Sequence, residues 1–400
     1  MQIVPELDTG GAELSAVEIG EAVSRAGWRS VIVTEGGRLE AAAEAQGSIV
    51  VKFPAATKNP LKMWGNVGRL AALAKRENVC LIHARSRAPA WSAMFAARRL
   101  KVPFVTTYHG AYNESGPAKR LYNSVMSRGD RVIANSQFTA DLIRQRYGTH
   151  SDKITVIHRG VDRSFDRKLV SAERIHSVRQ RWGVSEDDIV ILQAARLTGW
   201  KGQQILIDAA ARLRGEDRAG NVKFVIAGDA QNRSAYLAAL KDQIARLGLS
   251  ERVLLVGHEN DMAAAFAAAY AVVVASTEPE AFGRVGAEAQ ALGRPVIATR
   301  LGAPQETVRS EPEYDQSGTT GWLVAPGDAL ELAEAIGAVL SLDEGRYSAM
   351  AARAIENAHS NFTLEQMKRL TLSVYDDLLG SELEKSFKSA GNSMISADNT

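Results

Sequence analysis

Short apolar runs alternate with longer stretches of helical periodicity along most of the chain. The runs are rich in β-branched residues, as is usual for strands that are buried on both faces of a parallel sheet. Alternation of this kind predicts an α/β fold with mainly parallel, doubly wound sheets. One series of candidate strands lies at residues 2–4, 30–33, 49–52, 81–83, 104–107, 131–134 and 155–158, and a second at 189–193, 223–227, 253–256, 271–275, 295–298 and 322–324.

The two series predict two Rossmann-like domains, at residues 1–163 and 187–362. Residues 164–186 are charged and weakly periodic, so we expect a linker there. Tandem domains of this type leave a cleft between their sheet edges, which is a natural place for a ligand. A strong helical pattern follows at 363–380, and the polar run 381–400 lacks an evident core pattern and is expected to be a flexible tail.

One stretch in the second half, residues 277–295, carries the clearest chemical pattern. It consists of an acidic loop after a buried strand, then Gly283, then a helix. Ligands of open α/β sheets bind at this edge, where the first-turn amides of the helix suit phosphate. Glu280 lies before the helix and Glu288 about one and a half turns inside it. Two ordinary solvent-exposed acids can have the same spacing. A ligand whose phosphates bind the amides and whose hydroxyls bind the carboxylates would satisfy both features, and a nucleotide sugar is such a ligand.

Together with Phe282, Gly283 and the GRPVIAT strand, this stretch resembles the E-x7-E signature of the retaining glycosyltransferases of family 4, and the resemblance covers roughly residues 1–380. It implies a GT-B fold, in which two Rossmann-like domains face each other across a cleft and the helix at 363–380 crosses back to the first domain. It also implies a nucleoside diphosphate sugar as donor (UDP-, GDP- or ADP-sugar), no cofactor and no bound metal.

The resemblance assigns further donor contacts in the second domain. Arg196 and Lys201, in AARLTGWKG, match the family's diphosphate-binding arginine and lysine. Two such cations stabilise a pyrophosphate that gains charge as the sugar leaves. Gly257 ends a strand where the family cradles the nucleotide base. The other implied donor contacts are Phe282, Gly283, Arg284, Val285 and Glu288.

The first domain offers candidates at the corresponding sheet edge. Gly10 and Gly11, in DTGGAE, open a helix and would let a diphosphate approach the backbone closely. This loop is not G-x-G-x-x-G, which counts against a dinucleotide oxidoreductase. His109 follows a strand where the family has a histidine that meets the donor sugar, and Arg85 and Tyr112 are candidates for acceptor binding. The predicted catalytic set is therefore Glu280, His109, Arg196 and Lys201.

Charge is unevenly shared between the halves. Residues 1–163 contain 23 Lys and Arg against 14 Asp and Glu, whereas the rest contains 25 against 32. This asymmetry favours an anionic partner for the first domain. A basic helical pattern at 61–75 either docks on anionic lipid headgroups or is a solvated face over the core. The predicted partners are a nucleotide sugar, a glycan or lipid-linked acceptor and an anionic membrane surface, and nucleic acid is not expected.

Composition indicates an ordinary soluble protein, with 46% apolar and 24% charged residues. The single cysteine, Cys80, fits a reducing compartment and excludes an internal disulfide. No signal peptide opens the sequence, and its longest apolar segment is shorter than the about 18 residues of a spanning helix. We therefore expect a cytoplasmic protein, with peripheral contact to the inner face of the membrane.

These observations predict a retaining, metal-independent hexosyltransferase. It would move a sugar from a nucleoside diphosphate sugar to a hydroxyl of a glycan or glycolipid, in lipopolysaccharide or other cell-envelope polysaccharide synthesis. Nucleotide-sugar epimerases and hydrolases share the architecture and remain an alternative. A non-catalytic sugar-nucleotide binding module is disfavoured, because every charged position expected for the diphosphate is present.

Overall fold

The computed structural model describes residues 1–8, 10–214, 221–231 and 233–397, with side chains described through residue 391. Contacts between Cα atoms divide the chain into two compact units. The first unit contains Met1–His158 and the chain from Glu365 onward. The second unit contains Arg159–Leu364.

The first unit is built on a seven-stranded sheet in which every neighbouring pair of strands is parallel. Its strands are β1 (Gln2–Ile3), β2 (Ser30–Thr34), β3 (Ser48–Lys52), β4 (Ile82–Ala84), β5 (Phe104–Tyr108), β6 (Arg131–Ala134) and β7 (Ile154–Val156). They lie in the order β3-β2-β1-β4-β5-β6-β7. The order reverses between β1 and β4, and such a switch point opens a crevice at the carboxyl ends of the strands.

Six helices follow strands of this sheet: α1 (Gly11–Arg25), α2 (Glu40–Ala45), α3 (Pro60–Arg76), α4 (Arg87–Leu100), α5 (Pro117–Asn123) and α6 (Gln137–Tyr147). Local signals set their ends. Asn59 caps α3 by accepting hydrogen bonds from the amides of Leu61 and Lys62, and Pro60 occupies the first turn. Gly148 ends α6 in the left-handed conformation.

The second unit has a six-stranded parallel sheet in the order β10-β9-β8-β11-β12-β13. Its strands are β8 (Ile189–Ala194), β9 (Val222–Ala227), β10 (Val253–Gly257), β11 (Ala271–Val274), β12 (Val296–Thr299) and β13 (Gly321–Val324). Its helices are α7 (Ala172–Trp182), α8 (Gln203–Arg212), α9 (Ser234–Arg246), α10 (Met262–Ala268), α11 (Arg284–Ala291), α12 (Pro304–Thr307), α13 (Ala329–Leu340) and α14 (Glu344–Asn361). The two sheets confirm the predicted α/β class.

The segment predicted as a linker, 164–186, belongs instead to the second unit. Its central part forms α7, which buries Val178 and Trp182 in the core formed with α10. Only a few apolar side chains anchor this charged helix, so its sequence pattern is weak. Ion pairs with the loop before α10 also hold helix α7 in place.

The predicted flexible tail is also wrong over its described part. After α15 (Leu364–Leu379) the chain forms α16 (Leu383–Ala397), in which Leu383 and Phe387 are buried. Asp376, on α15, accepts hydrogen bonds from the amides of Leu383 at 2.7 Å and Glu384 at 2.9 Å and so caps α16. The guanidinium of Arg25, on α1, lies 3.5 Å from the centroid of the Phe387 ring. Arg25 is far from Phe387 in sequence, and the capping carboxylate belongs to the preceding helix, which is why the pattern within 381–400 did not reveal α16.

Among the described residues, we find no helix with the length and apolar content required to traverse a lipid bilayer.

Candidate active site

In the second unit, the loop after β11 holds Glu280 in a buried position. The backbone of Glu280 forms an isolated parallel bridge with Gly302, and its carbonyl accepts a hydrogen bond from the amide of Ala303 at 3.0 Å. Gly302 has a φ of +82°, and a Cβ there would lie 2.4 Å from the Glu280 carbonyl oxygen. Position 302 therefore requires glycine, which lets the two loops touch. This contact between the loops fixes the direction of the Glu280 side chain.

The Glu280 carboxylate pairs with Lys201, so the structure brings these two predicted residues together. The same carboxylate oxygen accepts a hydrogen bond from Ser276 Oγ at 2.6 Å. The Lys201 Nζ also lies 4.2 Å from the centroid of the Trp200 ring, within the range of a cation–π contact. Because an ammonium has three donors, Lys201 can hold Glu280 and still donate to a phosphate oxygen.

The loop that carries Lys201 runs between β8 and α8 and packs against the end of β11. Gly202 has a φ of +71°, and a Cβ on it would lie 1.9 Å from the carbonyl oxygen of Ala275. Gln193 Nε2 donates to the Lys201 carbonyl at 2.7 Å, and Gln203 Nε2 donates to the Arg196 carbonyl at 3.0 Å. These bonds hold the backbone of the loop, while the Arg196 side chain is exposed at the carboxyl edge of the sheet.

Helix α11 begins beside Glu280. Its N-cap, Gly283, is in the left-handed conformation with a φ of +75°. Arg284 Nε donates to Glu288 Oε1 at 3.0 Å, one turn further along the helix. First-turn amides lack intrahelical acceptors and carry the positive end of the helix dipole, so this helix start can receive an anion. Glu288 is partly buried and is held by Arg284 before any ligand arrives.

The side chain of Phe282 points elsewhere than predicted. It is buried against Phe362, with ring centroids 5.6 Å apart, and against Ala287 and Val161. Phe282 therefore anchors the start of α11 to Phe362, which follows α14. Val285, another predicted donor contact, is partly buried and packs on the core that α7 and α10 help to form.

The predicted base-binding turn follows β10. Gly257 has a φ of +75°, and its carbonyl accepts a hydrogen bond from the amide of Gly228 at 2.7 Å. Two arginines on α7 hold acidic residues of this turn, and sequence reasoning missed both arginines. Arg181 donates to Glu259 at 2.8 Å, and Arg174 makes two hydrogen bonds to Asp261, at 2.8 Å and 2.7 Å. The bonds from Arg174 lower the pKa of Asp261.

In the first unit, Arg85 is buried, which contradicts its predicted role in acceptor binding. Its Nε donates to Gln2 Oε1 at 2.6 Å, and burial lowers the pKa of the guanidinium. Nearby, His83 makes hydrogen bonds to Tyr375 at 2.6 Å and Thr107 at 2.7 Å. Burial raises the pKa of Tyr375 to about 12. Arg85 is thus part of a polar core beneath α15 and is shielded from an acceptor in solution.

The other predicted residues of the first unit lie at the carboxyl edge of its sheet. His109 follows β5 and is half-buried. The Tyr112 ring packs between the Tyr108 ring, at 4.5 Å between centroids, and the Arg87 guanidinium, at 4.1 Å. Gly10 is the N-cap of α1, with an extended backbone, and Gly11 is the first residue of that helix. Thr9, in the same glycine loop, lies outside the described residues.

Comparisons with known proteins identify the family. Residues 9–165 match the family model described as Glycosyltransferase Family 4, and residues 175–360 match the model described as Glycosyl transferases group 1. A curated relative, "D-inositol 3-phosphate glycosyltransferase 1" from Catenulispora acidiphila, is 32% identical over 313 residues, which cover 74% of this chain and 71% of that protein. The chain belongs to glycosyltransferase family 4.

Solved structures agree with this family assignment. A glycosyltransferase from Rickettsia africae aligns with a TM-score of 0.85 and 30% identity, covering 95% of this chain and 99% of that one. Anabaena HepE, in complex with UDP and glucose, aligns with a TM-score of 0.80 and 28% identity, covering 94% and 99%. The fold is therefore GT-B, and the protein is a glycosyltransferase.

Proposed function

We propose that the protein is a retaining glycosyltransferase that moves a hexose unit from a UDP-sugar to a hydroxyl of an acceptor. The observation that carries the proposal is the contact between Lys201 and the buried Glu280, beside the start of α11. This contact puts a cation, a carboxylate and a set of helix amides at the carboxyl edge of one sheet. These groups match the diphosphate and the sugar of a nucleotide sugar.

In this proposal, Lys201, Arg196 and the first-turn amides of α11 bind the diphosphate. The bond between the anomeric carbon and the β-phosphate oxygen breaks, and its electron pair leaves with UDP. The acceptor hydroxyl oxygen bonds to the same face of the anomeric carbon and gives its proton to the departing phosphate oxygen. Lys201, which Glu280 already holds in place, and Arg196 stabilise the charge on this oxygen as it develops. We assign them the role that a divalent metal ion has in other transferases, which makes the reaction metal-independent and free of cofactors.

We assign Glu280 and His109 to the sugar. The anomeric carbon gains positive charge in the transition state, and a fixed carboxylate stabilises that charge. Lys201 and Ser276 hold Glu280 in place, so little reorganisation is needed when the donor binds. Glu288 accepts hydrogen bonds from the ribose, and the backbone at Gly257 borders the base.

Uridine is the proposed base because Anabaena HepE has been crystallised with UDP, with UDP-glucose, and with UDP and glucose, and is 28% identical to this chain. GDP- and ADP-sugars are the other donors to test. Thermal stabilisation by a panel of the three nucleoside diphosphates and their glucose conjugates discriminates them, since a ligand specific to the folded state raises the melting point. Stabilisation by UDP compounds is expected, and a larger shift with GDP or ADP would overturn the choice of base.

We propose an anionic acceptor with a free hydroxyl. The excess of basic residues in the first 163 positions supports this choice. The relative from Catenulispora acidiphila is named for inositol 3-phosphate, which is such a compound. A glycolipid of the cell envelope, including a lipopolysaccharide intermediate, also combines negative charge with free hydroxyls. Because such an acceptor lies in a membrane, we propose a cytoplasmic enzyme in peripheral contact with the membrane.

Product analysis tests the reaction class. Incubation of the protein with UDP-glucose and a panel of inositol phosphates and lipid-linked sugars should release UDP and give a glycosylated acceptor in which the α configuration of the donor is retained. A β-linked product would overturn retention. Free or epimerised sugar nucleotide formed equally well without any acceptor would favour the epimerase or hydrolase alternative.

A further inference from the structure

A groove of about 380 Å³ lies on the first unit among α3, α4 and α5. Half-buried side chains of Met63, Val67, Trp91 and Phe95 line it, and all four are apolar or aromatic. Trp64 stands at its edge and meets the Phe95 ring edge-on, with centroids 6.1 Å apart. The groove therefore accepts hydrocarbon better than a sugar or a phosphate.

The outer face of α3 continues this apolar surface into solvent. Leu61 is 85% exposed and Trp64 is 72% exposed, and across the groove on α5, Leu121 is 58% exposed. The next residues on this face of α3 are Gly65, Gly68 and Ala72, which are also exposed and uncharged. Solvent-facing helix surfaces of globular proteins usually carry charge, so an exposed stripe of this kind indicates an interaction surface.

The three helices that form the groove carry charges of one sign only. Helices α3, α4 and α5 contain no aspartate or glutamate. Their basic residues are Lys62, Arg69, Lys75, Arg76, Arg87, Arg98, Arg99, Lys119 and Arg120. An apolar stripe with Trp and Leu beside lysines and arginines is the composition of helices that lie in the interface of an anionic bilayer.

We infer that α3 and α5 dock the first unit on an anionic lipid bilayer, with a lipid hydrocarbon chain in the groove. Leu61, Trp64 and Leu121 enter the acyl region, and the surrounding lysines and arginines remain at the level of the headgroups. This inference deepens the membrane contact in the proposed function, but it rests on the surface of the first unit and not on the transferase activity.

The test uses the full chain and vesicles of phosphatidylcholine with phosphatidylglycerol, whose acyl chains carry bromine to quench tryptophan fluorescence. We expect binding with quenching. Trp64→Phe should remove part of the quenching, and Trp91, which lines the groove, should retain the rest. The double variant Leu61→Ser/Trp64→Ser should bind at least tenfold more weakly. Trp28→Ser is the matched control, because Trp28 is a 40% exposed tryptophan of the same unit outside the groove and should leave binding unchanged.

Removal of single basic residues gives a second test of docking on the bilayer. Lys62→Ala and Lys119→Ala should each lower vesicle partitioning by about fivefold, and the loss should disappear at high salt. Binding without quenching would mean contact with headgroups only and would overturn the groove assignment. Absence of vesicle binding, with concentration-dependent dimerisation that Leu61→Ser/Trp64→Ser abolishes, would assign the surface to a second copy of the chain. Thermal stabilisation by UDP in the same variants reports on the donor site separately.

Discussion

Each unit has an arginine just beyond a central strand, at the carboxyl edge of its sheet. In the first unit Arg85 follows β4, is buried and bonds to Gln2. In the second unit Arg196 follows β8 with its side chain exposed and only its carbonyl tied down. The difference arises because α15 covers the end of β4, where Tyr375 is hydrogen-bonded to His83. A strand-end cation is available to a ligand only if no element of its own unit covers it.

Loss of Lys201 should give the largest effect on catalysis. We expect Lys201→Ala to lower turnover about 10²- to 10³-fold, because it removes a fixed cation from the proposed diphosphate site and leaves Glu280 without its cationic partner. Steady-state kinetics with UDP-glucose measure this, with circular dichroism to check the fold. Lys241→Ala, on the exposed face of α9, is the matched control. Unchanged turnover in Lys201→Ala would remove the lysine from the site.

For Arg85 we expect the opposite result, a loss of stability without a loss of donor binding. Arg85→Ala should reduce the free energy of unfolding by about 2–4 kcal/mol, since it opens a cavity and leaves Gln2 Oε1 without its donor. Chemical denaturation measures the loss. The Michaelis constant for the donor should stay at the wild-type value. An acceptor-specific rise in the Michaelis constant at unchanged stability would restore Arg85 as an acceptor contact.

Glu288 tests the donor side more finely. Glu288→Ala should raise the dissociation constant of UDP about 10- to 100-fold, as expected for the loss of a hydrogen bond to a charged group. Isothermal titration with UDP measures it. Glu334→Ala is a suitable control, because Glu334 lies on α13, outside the proposed site. Equal affinity in Glu288→Ala and the wild type would exclude Glu288 from the ribose.

The smallest effect is expected at the end of the chain. Asp376→Ala removes the cap of α16 and should cost about 1–2 kcal/mol in the stability of the first unit. Hydrogen exchange of the α16 amides should quicken, while UDP binding by the second unit stays the same. Unchanged exchange in α16 would show that the packing of Leu383 and Phe387 holds this helix without the cap.

Sequence patterns predicted the sheets well because buried parallel strands are nearly continuous apolar runs. The run AVVV of β11 is entirely buried, and the glycine that follows its loop is the start of α11. The Lys201–Glu280 contact was also within reach, because neighbouring parallel strands place the loops that follow them side by side.

Other features depend on partners that are distant in sequence. The turn after β10 is held by Arg174 and Arg181. These arginines are 87 and 78 residues away in sequence from the acids they bind, so no local spacing marks them. Arg85 looked like a ligand contact because the sequence does not show that Tyr375 lies over it. Phe282 was assigned to the donor by its place in the signature, whereas packing with Phe362 turns its ring into the core.

The close approach at Gly202 limits which positions of this loop can be varied in order to change the donor preference. Position 202 must stay glycine in a mutant library, because even alanine would collide with the Ala275 carbonyl. Gly199, three residues earlier in the same loop, would present a new side chain to open space, since a Cβ there meets no atom within 4 Å. Position 199 is therefore where variation can reshape the surroundings of the proposed diphosphate site without disturbing the backbone that supports Lys201.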